Sequence, residues 1–377
     1  MAEFIPISMP SITQKEIAYV NDAVSSGWVS SLGKYIGRFE EAFAAFCGTK
    51  YALTTSNGTT GLHLALVSLG IGANDEVIIP DLTFVATANA ITYAGAKVVA
   101  VDIEDGTLCI NPQRIRAAIT DKTTAIIPVH LYGQPANMPE IMKIAGEYNL
   151  TVIEDAAEAH GAEINGKKVG ALGKCGVFSF YGNKIITSGE GGMITTDDPK
   201  LYEKAKFLRD HAMSPEKRYW HSEVGYNYRM TNIQAALGAA QLERIDAILL
   251  RKKEIFEMYN RELSGIEGVR LNRACSWAKN VFWMVCLELE GFSAEGRDLF
   301  MLALKAKGID SRPYFCPISE MPMYQSGAIL NPVAHQISRT GLNLPSYYDI
   351  SDKQIRYICQ NVKDILDSVR SGKQPEA

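Results

Sequence analysis

The chain is expected to fold as an α/β protein, with a large unit built on a mostly parallel mixed sheet and a smaller C-terminal α+β unit. Three observations predict this. Between residues 51 and 196, short β-rich apolar runs alternate with helix-sized segments, the pattern of a sheet covered on both faces. A long helical stretch, from residue 231 to about 263, then carries the chain away. Beyond residue 263, strand and helix mix more sparsely. The division is placed at residue 245, giving units 1–245 and 246–377.

Each element has its own signal. Tyr51-Ala52-Leu53-Thr54-Thr55 is β-prone, and residues 61–66 read as a helix ending near Gly70. Strands are expected at 76–79, 97–101, 125–129, 151–153 and 176–180, with a helix at 86–93. The long helix takes Thr231 or Asn232 as its N-cap, and Gly265 and Gly268 lie beyond its end. Residues 281–289 read as a strand, 294–307 as a helix and 354–369 as a closing helix, while the polar tail 371–377 is expected to fray.

Composition excludes several functional classes. The 377 residues carry 38 Lys+Arg against 42 Asp+Glu, a formal net charge of −4. Such a balance is unsuited to coating nucleic acid, which needs a basic face. No apolar run approaches the ~18 residues of a membrane span, and the opening MAEFIPISMPSITQKE lacks a basic segment before an apolar core, so no secretory signal is expected. The seven cysteines are scattered and never spaced as CxxC, which supports neither a zinc site nor a thioredoxin-like centre. Buried thiols in a reducing cytoplasm fit better.

Three segments at predicted strand ends carry the chemistry, where open α/β sheets bind ligands. The first is Thr55-Ser56-Asn57-Gly58-Thr59-Thr60, leading into a helix. Free N–H groups at a helix start suit a phosphate, Gly58 permits close backbone approach, and Ser56 and Thr59 add hydroxyls. Read alone, it is equally an N-capping turn. The second, Glu154-Asp155-Ala156-Ala157-Glu158-Ala159-His160, offers two acids that could bind metal, act in acid/base chemistry or cap the next helix, with His160 more ordinary as a packed histidine. The third contains Ser179, then Gly182-Asn183-Lys184, then Gly189-Glu190-Gly191-Gly192. A lysine drawn into a partly apolar site attacks carbonyls as a free amine; a snorkelling surface lysine is the bland alternative. Together the three supply what pyridoxal 5′-phosphate (PLP) demands: a phosphate seat, a carboxylate for the pyridine nitrogen and a Schiff-base lysine. Phe84 is placed to stack on the ring, or else packs in the core.

Ser56-Asn57-Gly58-Thr59, Glu154-Asp155 and Gly182-Asn183-Lys184, with residues 27–35 and 341–346 at either end, resemble the DegT/DnrJ/EryC1/StrS sugar aminotransferases, PLP enzymes of fold type I. The resemblance implies that Lys184 joins the cofactor and later shuttles a proton, that Asp155 pairs with its nitrogen and that Phe84 stacks on it. It implies further that Gly58, Thr59 and Ser179 hold the phosphate, while Asn227 reaches the phosphate of a neighbouring subunit, placing the site in a homodimer. Glu158 stands where many relatives carry Gln or His near the cofactor's O3′. A branch of the family with histidine in place of the lysine removes a hydroxyl, so Lys184 favours transamination. The implied substrates are L-glutamate and a nucleotide-linked 4-keto-6-deoxy sugar, GDP-linked by similarity of residues 180–193, 217–221, 311–315 and 321–324, with a UDP-linked 4-keto sugar as the alternative and a non-catalytic PLP-binding regulator as a remote one. Lys217, Arg218, Tyr219, Trp220, His221, Arg229, Arg312 and Tyr314 are the candidate substrate contacts, each equally suited to a surface or interface role. No metal is expected.

Overall fold

The apolar runs assemble into a seven-stranded sheet in the computed structural model, which describes residues 4–325 and 331–370; the tail 371–377 lies outside the described residues. In chain order the strands are β1 (Tyr51–Thr55), β2 (Glu76–Pro80), β3 (Lys97–Val101), β4 (Thr123–Ile126), β5 (Thr151–Asp155), β6 (Cys175–Ser179) and β7 (Gly192–Thr196). Their spatial order is β1-β7-β6-β5-β4-β2-β3. Neighbours from β6 to β3 are parallel, whereas β7 runs antiparallel to both β6 and β1. The fold is therefore α/β with a mostly parallel mixed sheet.

Side chains alternate across a strand, so each strand feeds two cores. Val77, Ile153 and Val177 pack with Leu62 and Leu66 of the Gly58–Ser68 helix on one face. Ile78, Val152 and Phe178 pack in the other core, against Phe43 of the Lys34–Cys47 helix. Strands β2, β6 and β7 are buried along their full length.

A second, antiparallel sheet lies beyond the first, in the order Val269–Leu271, Val285–Leu289, Gly341–Leu344, Arg312–Pro313. Tyr259, Phe300 and Ile358, from three helices, cover it, and Ile5 from the N-terminal segment joins the same core. Among the described residues no helix is long and apolar enough to cross a membrane.

Beyond shifts of one to three residues, β7 is a strand that the sequence reading lacks, and three larger differences stand out. The stretch read as one helix is two, Asn232–Leu242 and Ile245–Leu263, with Thr231 as the N-cap of the first. At the break, Arg244 donates to Glu16 at 2.6 Å, and Glu243 pairs with Lys15 and Arg38. Helix propensity continues through this point, and long-range ion pairs set the bend. The division drawn at residue 245 falls here. The strand read at 125–129 ends at Ile126, after which Val129 makes only an isolated bridge to Asp155. The strand read at 281–289 begins at Val285, because Val281 instead donates its N–H to the Gly133 carbonyl at 3.1 Å.

Candidate active site

The carboxyl ends of β1, β2, β5 and β6 and the start of β7 meet around a cavity of about 380 Å³. Gly58, Thr59, Phe84, Asp155, Glu158, Ser179 and Lys184 all line it, so the three strand-end segments converge on one site.

At the end of β1, Asn57 caps the Gly58–Ser68 helix by accepting the Thr60 N–H at 2.9 Å. The cap engages Thr60 and leaves the N–H groups of Gly58 and Thr59 without an intrahelical partner, as the first turn of any helix does. A Cβ on Gly58 would lie 3.0 Å from the Ser179 Cβ, so glycine permits the helix start and β6 to close together. Two backbone donors and a hydroxyl thus share one corner, where the helix dipole favours an anion.

The adjacent acids at the end of β5 separate by strand alternation. Glu154 points away from the cavity and is fully buried. It accepts N–H bonds from Gly170 (2.8 Å), Leu172 (2.7 Å) and Gly173 (2.7 Å). His130 Nδ1 accepts the Ala136 N–H at 3.0 Å, so its proton sits on Nε2 and is donated to Glu154 at 3.1 Å. Glu154 therefore fastens the 170–173 loop beneath the sheet. Glu154→Ala is expected to destabilise the protein by about 3–5 kcal/mol, since three backbone donors and the buried His130 lose their acceptor. An unchanged denaturant midpoint would contradict this.

Asp155 faces the cavity. Thr87 donates its hydroxyl to Oδ2 at 2.8 Å and Ala157 its N–H to Oδ1 at 3.2 Å. Burial pushes its carboxyl up from the ordinary value, opposed by these donors and by Lys184. A carboxylate offers about four acceptor positions, and those not used here suit a cationic N–H in the cavity. His160 packs among Phe43, Phe178 and Phe180, and burial pushes its pKa down to about 3, so the ring is neutral.

Lys184 follows β6, with its side chain only 12% exposed. Its Nζ lies 3.4 Å from Glu158 Oε1 and 4.0 Å from the centre of the Trp283 ring. The other Glu158 oxygen accepts the Tyr132 N–H at 2.9 Å. Burial pushes the Glu158 carboxyl up, and Lys184 draws it back down. Phe84, 55% exposed, forms the rim, with the Phe315 ring centre 5.6 Å away.

The remaining candidates lie elsewhere. Asn227 is exposed on a segment tied to the phosphate corner through Tyr228, whose carbonyl accepts the Ser56 N–H at 2.8 Å; it does not line this cavity. Lys217, Arg218, Tyr219, Trp220 and His221 form an exposed loop, where Lys217 lies over Trp220 and Arg218 over Tyr219. Arg229 pairs with Asp210, and the exposed Arg312 lies 3.7 Å from Asp310. Tyr314 is buried beneath Tyr132, leaving Phe315 as the member of that pair that meets the cavity.

Thr87, Tyr132, Trp283 and Phe315 were not found from sequence. Thr87 lies three positions after Phe84, at the start of a helix, a spacing that could have drawn attention to it. Phe315 lies in the 311–315 segment noted for its similarity, where Arg312 and Tyr314 were singled out instead, while Tyr132 and Trp283 belong to no motif.

The residues present fit PLP: free amides and a hydroxyl at a helix start, an aromatic rim, an under-used buried carboxylate and one buried amine share the cavity. The sequence family described as the DegT/DnrJ/EryC1/StrS aminotransferase family matches residues 10–363. The chain is 46% identical over 366 residues to a GDP-perosamine synthase of Caulobacter vibrioides, covering 96% of this chain and 98% of that one. It is 43% identical over 362 residues to a GDP-perosamine synthase of Escherichia coli O157:H7, with 96% and 98% covered. Among solved structures, the PLP form of the putative sugar aminotransferase Spr1654 from Streptococcus pneumoniae superposes with a TM-score of 0.92 at 28% identity, covering 97% of this chain and 99% of that one.

Proposed function

The chain belongs to the DegT/DnrJ/EryC1/StrS aminotransferase family, with PLP as its cofactor, and on that premise we propose that it transfers the amino group of L-glutamate to C4 of GDP-4-keto-6-deoxy-D-mannose, forming GDP-perosamine. The observation that carries the reaction type is the convergence of Lys184, Asp155 and the phosphate corner on one cavity. The sugar is supported by the full-length similarity to GDP-perosamine synthases.

When bound, PLP supplies an electron sink for negative charge developing on the carbon beside the transferred nitrogen. The protein's own groups do the rest. The Gly58 and Thr59 amides and the Ser179 hydroxyl would hold the phosphate, and Asp155 would keep a proton on the ring nitrogen. Phe84 would cover one face and exclude water from it. Lys184 would hold the cofactor and, once released as a free amine, take a proton at Nζ from the carbon on one side of the transferred nitrogen and return it to the carbon on the other. Glu158, fixed by the Tyr132 N–H, keeps an oxygen directed at that amine.

We read the active unit as a cytoplasmic homodimer. In that assembly Asn227 and the Lys217–His221 loop, both exposed, would extend to the partner's cavity, and Arg229 or Arg312 would receive the glutamate carboxylate. The deciding experiment supplies ¹⁵N-glutamate with either the GDP- or the UDP-linked 4-keto-6-deoxy sugar. A C4 ¹⁵N-amine on the GDP product is expected; transfer confined to the UDP sugar, or none at all, overturns the proposal.

A further inference from the structure

Trp283 touches the reactive lysine in two independent ways. Its ring face carries Nζ at 4.0 Å, and its Nε1–H donates to the carbonyl of Asn183, the residue preceding Lys184, at 2.8 Å. One side chain thus holds both the tip of the lysine and the backbone from which it grows. The indole is 4% exposed, and its chain segment leads directly into the Val285–Leu289 strand of the second sheet.

The backbone around Trp283 is held in conformations that L residues seldom adopt. Phe282 has φ +49° and Tyr132 φ +52°, with Gly133 at φ +95° between them in space. A Cβ on Gly133 would stand 2.9 Å from the amide nitrogens of both Phe282 and Trp283, so only glycine lets the 131–133 turn approach this closely. Val281 donates to the Gly133 carbonyl at 3.1 Å, and Phe282 donates to Asn280 Oδ1 at 2.6 Å. Such outliers persist where the surroundings over-determine them, and they cluster at functional sites. Here the same turn also supplies the Tyr132 N–H that fixes Glu158, the other group beside Lys184 Nζ.

We infer that Trp283 is a positioning residue for Lys184, pinning the amine where it meets the cofactor carbonyl. A free lysine spreads over many rotamers, and an amine held against an indole face, with the backbone before it pinned by the same ring, gives up most of them in advance. The inference rests on the aminotransferase reading and adds that the segment feeding the second sheet sets the aim of its lysine.

Two probes separate this from general structural support. PLP and pyridoxine 5′-phosphate share the phosphate, ring and ring nitrogen, but the latter bears an alcohol in place of the aldehyde. Lys184 Nζ condenses only with the aldehyde, forming a C=N bond and releasing one water. The ratio of the two Kd values, measured on apoenzyme by absorbance and by calorimetry, therefore isolates the lysine's contribution. Trp283→Leu is expected to weaken PLP about tenfold while pyridoxine 5′-phosphate stays within about twofold. Trp283→Phe keeps a ring face but loses the N–H, and is expected to shift the ratio about threefold. An unchanged ratio in both variants overturns the inference, and so does an equal loss for the two probes. Failure of the wild-type protein to bind either probe overturns the aminotransferase reading itself, a separately recognisable result.

Discussion

Lys184→Ala is expected to slow nitrogen transfer by on the order of 10⁴-fold or more. Among the described residues lining the cavity, Lys184 is the sole lysine, and its nearest polar neighbour is a carboxylate whose ordinary role is to hold it. Without the amine, no remaining side chain of the cavity both attacks a carbonyl and carries a proton between the two carbons that flank the transferred nitrogen. Methylamine, small enough for the vacated space, should restore a measurable part of the rate. The check is steady-state turnover with glutamate and the keto sugar, alongside loss of the lysine-dependent absorbance band. A variant retaining more than a few per cent of turnover would show that another group does this work.

Asp155→Asn is expected to cost about 10³-fold in turnover with little change in fold. At about 4 Å and an effective dielectric of 20, a carboxylate paired with a protonated ring nitrogen is worth about 4 kcal/mol, or three decades of rate. Asparagine preserves the volume and accepts from Thr87, so the hydrogen bond at 2.8 Å survives while the charge is lost. Burial already pushes the Asp155 carboxyl up, and Thr87, Ala157 and Lys184 oppose that rise. A ligand cation would add to their effect, and asparagine cannot supply that partner. Turnover within tenfold of wild type would sink this role for Asp155.

How much of the site was legible depended on how locally each part is encoded. Ser56-Asn57-Gly58-Thr59, Glu154-Asp155 and Asn183-Lys184 each sit where a strand ends, and the alternation of apolar runs already places those ends along one edge of a sheet. That Asp155 rather than Glu154 serves the cavity followed from the family resemblance and not from strand alternation. Two adjacent strand residues must point oppositely, but the direction depends on which face the 170–173 loop covers. Tyr314 and Phe315 pose the same problem, and there the core takes the tyrosine. The bend at Glu243–Arg244 was hidden because nothing in helix propensity interrupts residues 231–263; ion pairs to Glu16, Lys15 and Arg38, more than 200 residues away, bring it about.

By itself the sequence determined the α/β class, the strand-end motifs and the lysine proposed to carry the reaction, because apolar periodicity and strand-to-helix turns are written in neighbouring residues. The tertiary structure decided that the neighbouring acid, Glu154, serves the 170–173 loop instead. It also decided that an indole 100 residues from Asn183 should hold the backbone beside the lysine. Those choices depend on how distant segments cross and pack, and contact between them exists only once the chain has closed.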